Sequence, residues 1–364
     1  MTKDEGHLIR RRLANQQLVT SRFRAPAELV AWMGAVQAQD FAGAKWGVGM
    51  RTPGIRETQI DALFDAGAIL RTHVLRPTWH FVVPTDIRWM LMLTGPRVLA
   101  TCASYFRKLD IDAVLLKKCR AVFDRALRDQ AFKTRTELGH ALQRNGVPAT
   151  GLRLGLLVMA AELTAQVCSG PRRGKQFTYA LIDERAPHSP VLTRDEALAE
   201  LARKYFSSHG PATLRDFSWW SGLPMKDGQR GLDALGRAVI KEAIADRTYW
   251  SSPKSPRAAS LDEAYLLPNY DEYLIGYKDR DPVVPSNDGR SATKASTSSS
   301  SVFAHQVVLG GRLAGAWRRT ASAKRMVVDA CAYRSISAKE QRAVARAAAA
   351  YAAFLGVPVE CAVR

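Results

Sequence analysis

The sequence has few of the residues and runs that build disulfide frameworks, zinc sites or membrane spans. Only five of its 364 residues are cysteine, and none lies in a C-x-x-C pair, so neither a disulfide framework nor a zinc site is predicted. The longest apolar run, residues 155–161, stops at Glu162, far short of the roughly 20 residues that a membrane helix needs. Asp4 and Glu5 stand where a signal peptide would be apolar. A cytoplasmic protein that does not bind membranes is expected.

Catalytic signatures of several common kinds are also missing. The chain has no glycine-rich phosphate loop, no H-E-x-x-H, no G-x-S-x-G and no nucleotide-binding lysine motif. We therefore expect no cofactor and no metal, and ATP-driven chemistry is disfavoured.

Acidic residues are the scarcer charge. Asp and Glu number 34 against 53 Lys and Arg, which gives a net charge of +19. Such an excess favours a polyanionic partner, and of nucleic acid and anionic membrane we favour nucleic acid. The 47% of hydrophobic residues is an ordinary globular value, and the length allows two or three domains.

A loose threefold pattern of helix, turn, helix and β-rich stretch predicts a mainly α fold with β structure. Its units read as tandem winged helix-turn-helix units, and short apolar runs after them predict a C-terminal β-barrel. The expected boundaries are 1–95, 96–190 and 191–255 for the winged-helix units and 256–364 for the barrel with a last helix. The Ser/Thr-rich stretch from Pro282 to Ser301 is predicted to be a loop.

Capping-box spacing predicts where three helices begin. The pairs are Thr134 with Glu137, Thr193 with Glu196, and Ser337 with Glu340. Periodicity and breakers predict helices over 26–36, 57–67, 152–167, 213–220, 226–240 and 338–354, and strands over 75–83, 248–250, 265–267, 302–308, 312–317 and 326–328.

A candidate wing follows the second helix of the middle unit. Arg172, Arg173 and Lys175 precede Phe177 and Tyr179, an alternation at the period of an exposed hairpin. We predict that these three basic residues contact phosphates.

The polar segment Val36-Gln37-Ala38-Gln39-Asp40 lies within apolar surroundings. On an ideal helix, residues two apart point to nearly opposite sides, so Gln37 and Gln39 can converge only if the helix ends between them. The alternative is that Gln37 is a solvated or capping amide at a helix end.

Two further segments combine charge and aromatic rings. Within residues 71–80, Arg71 and Arg76 suit phosphates, and Trp79 or His80 can stack on bases; the alternative is an edge strand blunted by Pro77. The other segment, residues 268–280, offers Asp271, Tyr273 and Arg280, which could instead be packing at the barrel rim.

Five ordered motifs together resemble the AlkZ/YcaQ family of winged-helix DNA glycosylases. They are R-x-x-x-Q-x-L at 12–18, V-Q-A-Q-D at 36–40, L-R-P-T-W-H at 75–80, H-G-P-A-T-x-x-D-F-S-W-W at 209–220 and D-E-Y-L-I-G-Y-K-D-R at 271–280.

The resemblance implies a C-shaped clamp for duplex DNA and monofunctional hydrolysis of the N-glycosidic bond of N7-alkylated purines, in some members including interstrand crosslinks. It places the catalytic Gln-x-Gln pair on Gln37 and Gln39, and puts Thr78 and His80 by the lesion or the sugar-phosphate. Arg71, Arg76, Asp271, Tyr273 and Arg280 would line the DNA site. The protein would then be a monomer, associated with the nucleoid, whose partner is duplex DNA carrying alkylated purines.

Two amides suffice for such a substrate because an N7-alkylated purine is cationic and leaves as a neutral base without a general acid. What remains is to position a water beside the anomeric carbon, and a Gln carbonyl can accept a hydrogen bond from it. Asp40 could compete as a base, but we favour a helix-end Asp bonded to nearby backbone. The rival function is a non-catalytic winged-helix transcription regulator; an inactive family member is a third possibility.

Overall fold

The computed structural model describes residues 3–19, 21–244, 246–254, 261–284, 305–321 and 325–364. The predicted loop from Pro282 lies outside these residues beyond Val284, as does the start of the predicted strand 302–308. Among the described helices, none is both long and apolar enough to cross a membrane.

The N-terminal region contains four helices and a small antiparallel sheet. Its elements are α1 (Lys3–Asn15), α2 (Pro26–Met33), β1 (Val36–Gln37), α3 (Phe41–Gly49), α4 (Glu57–Ala66), β2 (Leu70–His73) and β3 (Trp79–Val82). Pro26 starts α2, where its missing N–H costs nothing. Gly34, at φ +80°, ends α2, so the helix predicted to reach Val36 stops early and Val36 begins a strand.

The three strands pair in the order β1-β3-β2. Gln37 lies opposite His80, and His80 lies opposite Thr72. The strand predicted over 75–83 is shorter than expected: residues 75–78 form a turn, and β3 is the second half of a hairpin whose first strand, β2, begins at Leu70.

The middle region is mostly helical and ends in a small sheet. Its elements are α5 (Pro84–Thr101), α6 (Ala103–Lys108), α7 (Ala113–Leu127), β4 (Lys133–Thr134), α8 (Arg135–Arg144), α9 (Gly151–Leu163), β5 (Val167–Ser169), β6 (Thr178–Leu181) and α10 (Ile182–Arg185). Thr134 and Glu137 form the predicted capping box. The second helix was expected to reach Val167, but α9 ends at Leu163, and Ala165 turns the chain at φ +55° so that Val167 begins β5.

The next region consists of helices followed by a two-stranded hairpin. Its elements are α11 (Arg194–Ser208), α12 (Leu214–Ser221), α13 (Met225–Leu235), β7 (Ile240–Ile244) and β8 (Arg247–Ser251). The capping box of Thr193 and Glu196 is confirmed, and Thr213 with Asp216 forms a further one. The helix predicted over 226–240 ends at Leu235, because Ile240 pairs with Ser251 in a hairpin.

The C-terminal region builds one sheet with a long helix on it. Its elements are β9 (Ala264–Leu267), α14 (Glu272–Ile275), β10 (Gln306–Leu309), β11 (Arg312–Ala321), β12 (Met326–Ala332), α15 (Ala338–Leu355) and β13 (Val359–Val363). The strand order is β13-β12-β11-β10-β9, a half-barrel rather than the closed barrel expected. Ser337 and Glu340 cap α15 as predicted.

Three of the four apolar clusters found among the described residues cross the expected domain boundaries. One joins Phe64 and Phe81 of the N-terminal region to Leu266, Trp317 and Tyr351 of the C-terminal region. Another joins β2, β3 and α5 to α11, α12 and α13. The small sheet that carries Gln37 is therefore held between the C-terminal sheet and the third helical region.

Candidate active site

Gln37 lies on a strand and Gln39 lies in the bend that follows it, so neither is on a helix. Gln37 is the second residue of β1, and the N–H of Ala38 continues the ladder by donating to the Trp79 carbonyl at 2.7 Å. Because neither residue is on a helix, the two side chains can approach one place without a helix ending between them. The prediction that this segment continues a helix was wrong.

Both amides face the turn between β2 and β3. The Gln37 Oε1 accepts from Nη2 of Arg76 at 3.2 Å, and the Gln39 Oε1 accepts from the backbone N–H of Trp79 at 3.4 Å. Gln37 is buried and Gln39 is exposed. Arginine can only donate, so its contact fixes which end of the Gln37 amide is the oxygen. That oxygen keeps a second lone pair for another donor.

Asp40 is a helix cap. Its Oδ1 accepts from the N–H of Gly43 at 3.1 Å at the start of α3. The preferred interpretation of this aspartate, a helix-end residue bonded to nearby backbone, is confirmed.

His80 lies beside Gln37 on the adjacent strand and is completely buried. Its Nδ1 is 2.9 Å from the Thr78 carbonyl, which can only accept, so Nδ1 carries the proton and Nε2 carries the lone pair. Burial, with the nearby charge of Arg76, lowers the pKa of His80 to about 3. His80 is therefore a neutral imidazole near pH 7.

Several buried polar atoms around this pair have no partner within the described protein. They are Thr72 Oγ1, Arg76 Nε, Thr78 Oγ1, His80 Nε2 and Arg280 Nη2. An unsatisfied buried donor or acceptor costs about 1–3 kcal/mol, and such groups in proteins are normally filled by water or ligand. Their concentration beside Gln37 indicates a place for polar substrate atoms and water.

Glu272 is the site residue that sequence reasoning missed. It is completely buried, and its Oε1 accepts from the backbone N–H of Gln37 at 2.9 Å, at the edge of β1 that β3 leaves open. Its Oε2 accepts from Trp220 Nε1 at 3.0 Å and lies 3.4 Å from His209 Nε2. Burial raises the pKa of Glu272, but the hydrogen bonds from His209 and the Gln37 N–H outweigh it, and the pKa lies below its ordinary value.

The one available signal for Glu272 was an acid placed among apolar residues in the 271–280 motif. Sequence reasoning selected its neighbours instead. Asp271 forms a bidentate pair with Arg51 at 2.7 and 2.8 Å, and Tyr273 is completely buried with its hydroxyl donating to Gly311. In this conformation neither side chain can reach DNA.

Arg71 and Trp79 brace the glutamine segment. Nε of Arg71 donates to the Ala38 carbonyl at 3.0 Å, between the two glutamines, and its guanidinium lies 4.3 Å from the centre of the Trp79 ring. Burial lowers the pKa of Arg71 to about 10. The Trp79 ring also contacts His73, with centroids 4.4 Å apart. Arg71 is buried, so it does not present a charge to phosphate here.

In the predicted wing, two basic residues form ion pairs within the protein and the third is exposed. Arg172 pairs with Asp65 at 2.9 Å and Asp61 at 3.0 Å on α4, and Arg173 pairs with Glu137 at 2.8 Å. The charges expected to meet phosphates are thus largely neutralised within the protein. Lys175 is exposed and has no carboxylate partner among the described residues.

Among the described residues beside the two glutamines, there is no pair of free carboxylates of the kind that glycosidases use. Asp40 caps a helix, and Glu272 is buried behind the Gln37 backbone. Over the described ranges, no group of three or more His, Cys, Asp and Glu is placed to hold a metal ion. What faces the unpartnered polar atoms is two neutral amides, a neutral imidazole and arginine.

Comparison with known proteins identifies relatives over most of the chain. A curated protein of Streptomyces sahachiroi, described as an interstrand DNA cross-link repair glycosylase, is 24% identical over 338 residues, which cover 84% of this chain and 85% of the relative. The solved structure of Streptomyces sahachiroi DNA glycosylase AlkZ has the same fold, with a TM-score of 0.79 at 21% identity over the whole of both chains. The family described as DNA glycosylase AlkZ-like matches residues 30–354, and this chain therefore belongs to the AlkZ-like family of DNA glycosylases.

Proposed function

We propose that this protein hydrolyses the N-glycosidic bond of N7-alkylated purines in duplex DNA, with Gln37 and Gln39 positioning the attacking water. The observation that carries the proposal is the position of the two amides. Both contact the chain at residues 76–79, where β2 turns into β3, beside a cluster of buried polar atoms that lack partners within the described protein. Because a relative is described as acting in interstrand cross-link repair, the proposed substrates include crosslinked purines.

The reaction balances without a protein acid. The water oxygen bonds to C1′ of the deoxyribose while the bond from C1′ to the purine N9 breaks. The bonding electron pair goes to the purine and neutralises its positive charge, and the proton of the water passes to solvent. The free lone pair of Gln37 Oε1 accepts from the water, and the exposed Gln39 amide provides a second contact. Unmodified purines lack the charge, and no described side chain beside the two amides is placed to supply the acid that they need.

The charges around the two amides support a mechanism in which the amides position water and no protein acid takes part. His80 stays neutral at working pH, so it can accept a hydrogen bond through Nε2 but adds no charge beside a cationic base. The charged groups, Arg76 and Glu272, contact Gln37 through its side chain and its backbone respectively. They fix the amide in place, which is what water-mediated attack requires.

Binding to DNA is proposed to use three winged-helix units, formed by the helix and hairpin groups that end at β3, β6 and β8, with the enzyme acting as a monomer without a cofactor. The net charge of +19 supports a duplex partner, and binding should weaken steeply with salt. A location at the bacterial nucleoid follows from such a substrate and belongs to the same proposal.

The test is base release from a duplex containing 7-methylguanine, detected as alkali-labile abasic sites. We expect release by the wild type and a loss of roughly 10²-fold or more in Gln37→Ala, the order seen when one preorganised polar group is removed from an active site. Gln341→Ala, which alters an exposed amide on α15, is the matched control and should act as the wild type does.

Two results contradict the proposal. Equal release by the wild type and by Gln37→Ala would remove the role of the amide pair. Tight, sequence-selective binding of duplex with no base release by either protein would instead support the regulator.

A further inference from the structure

Three basic side chains surround one half-buried indole next to the glutamine pair. The centre of the Trp219 ring lies 4.5 Å from Nζ of Lys278, 5.7 Å from the Arg280 guanidinium carbon and 5.8 Å from that of Arg76. Trp219 is on α12, Arg76 is in the turn between β2 and β3, and the other two follow α14. The fold, rather than local sequence, brings these charges together.

Neighbouring hydrogen bonds hold the cluster in position. The Trp219 Nε1 donates to the Ile275 carbonyl at 3.2 Å, and the Asp216 Oδ1 accepts from the backbone N–H groups of Lys278 at 2.9 Å and Asp279 at 3.0 Å. The Arg280 Nε donates to the Leu274 carbonyl at 2.8 Å. The indole face favours the cations by its quadrupole, but it does not neutralise them.

The three positive charges lack carboxylate partners. Among the described residues, none of Arg76, Lys278 and Arg280 has a carboxylate oxygen within 4.0 Å. The neighbouring Asp279 pairs with Arg247 instead. Burial lowers the pKa of Arg76 and of Arg280, although the more distant charges of Glu272 and Asp216 oppose this shift, and the charge of Arg280 lowers the pKa of Arg76 further. Like charges held this close are unfavourable unless an anion joins them.

Two donors in the cluster are also open. Nε of Arg76 and Nη2 of Arg280 are buried and have no acceptor within the described protein. Guanidinium groups bind phosphate through several N–H groups at once, and an exposed lysine adds a point charge. A cationic purine is repelled by such a cluster, whereas a phosphodiester satisfies both its charge and its donors.

We propose that Arg76, Lys278 and Arg280 bind one backbone phosphate of the DNA, beside the face of Trp219. The site rests on the proposed function, because Arg76 also donates to Gln37. That shared residue places the bound phosphate on the damaged strand, adjacent to the nucleotide whose base is cut. The phosphate then fixes the register of the strand against the amide pair.

The test uses duplexes whose phosphates are replaced, one position at a time, by uncharged methylphosphonate. Each duplex carries a tetrahydrofuran abasic analogue at the lesion position, so binding is measured without any bond to cut. For the wild type we expect one or two positions next to the analogue to lower affinity roughly tenfold, as when a hydrogen bond to a charged group is lost. Other positions should have smaller effects.

The same scan on Lys278→Gln and on Arg280→Gln identifies the protein partner. At the sensitive position, methylphosphonate should lower the affinity of each variant by less than about half as much as it lowers the affinity of the wild type, on a logarithmic scale. The reason is that the variant has already lost one partner of that phosphate. On the unmodified duplex, the slope of log K against log salt should fall by about 0.9 for each variant. Lys339→Gln, a lysine already paired with Asp262 at 2.7 Å, is the matched control with an unchanged scan and slope.

Lys278 is exposed, so its variant tests the site even if Arg280→Gln folds poorly. An identical methylphosphonate profile in the wild type and in Lys278→Gln overturns the phosphate site, and so does a wild-type scan with no sensitive position. Failure of the proposed function is a separate result. In that case the methylphosphonate profiles of the wild type and of Lys278→Gln would still differ, but 7-methylguanine would not be released from the duplex.

Discussion

Glu272→Gln is the substitution that best tests whether a buried carboxylate holds Gln37 in its working position. The change keeps the shape of the side chain and removes its charge. Glu272 accepts from the Gln37 N–H, from Trp220 Nε1 and from His209, but a glutamine has one carbonyl oxygen and an NH2 group that can only donate. One of the N–H groups that the carboxylate now serves would face that NH2 group in a completely buried place.

The magnitude follows from this loss. A buried donor left unsatisfied costs about 1–3 kcal/mol, and the hydrogen bonds that remain are no longer to a charged acceptor. We therefore expect the free energy of unfolding at pH 7 to fall by about 3 kcal/mol. The Gln37 backbone loses its fixed partner, and a displacement of about 1 Å at a reacting group can cost up to about 10²-fold in rate.

The assay combines urea unfolding with single-turnover base release, measured well below the unfolding midpoint. Glu272 cannot contact DNA, so affinity for the uncleavable duplex should be unchanged while the rate at saturating enzyme falls. Asp86→Asn is the matched control: it also converts a buried carboxylate, paired with Lys204 at 2.8 Å, to an amide. It should lower stability and leave the rate of release intact.

The reasoning is refuted if Glu272→Gln releases base at the wild-type rate despite lower stability, since the carboxylate would then not hold Gln37 in its working position. Loss of DNA affinity equal to the loss of rate would also refute it, because the side chain would then act on binding rather than on the position of the amide.

Two further predictions concern pH and the wing. The pKa of His80 is about 3 in the folded protein and about 6.5 in an unfolded chain, so the unfolded state binds the extra proton between these values. The stability due to neutral His80 is present above pH 6.5 and is lost on acidification by up to about 1.4 kcal/mol per pH unit. Between pH 6.5 and 5, the free energy of unfolding in urea should therefore fall by about 2 kcal/mol more for the wild type than for His80→Asn. Equal decreases would contradict the burial argument. Arg172→Ala should lower the free energy of unfolding by about 1 kcal/mol, because it removes partly exposed ion pairs with α4, and should leave the salt slope of DNA binding unchanged. Lys175→Ala should instead lower that slope by about 0.9. A change of this size in Arg172→Ala would show that Arg172 leaves Asp65 to bind phosphate.

Local signals in the sequence were sufficient for the helix starts. The capping boxes at Thr134, Thr193 and Ser337 each involve residues three apart, and their hydrogen bonds depend on little else. The strand of Gln37 is the opposite case, because it has two residues and exists through pairing with Phe81 and His80 more than forty positions away. Apolar periodicity across Gly34 therefore predicted one helix where the chain turns into a sheet.

The same limit explains the wing and Glu272. The basic and aromatic alternation at 172–179 correctly indicated a hairpin region, but the acids that neutralise Arg172 lie on α4, more than one hundred residues earlier. Glu272 meets Gln37 from 235 residues away. Sequence spacing shows which side chains are available, and only the tertiary contacts show which of them are already used.

The distribution of charge around the amides gives a physical reason for action on DNA rather than on free nucleosides. Arg76 is adjacent to Gln37, and Arg280 and Lys278 share the same indole, so these three charges repel a cationic purine. If a backbone phosphate occupies the three basic groups, it neutralises part of this field at the moment when the damaged nucleotide arrives on the same strand. The negative charge of Glu272 remains behind the Gln37 backbone. Under the proposed function, the DNA strand thus supplies the charge that the neutral pair of Gln37 and Gln39 lacks.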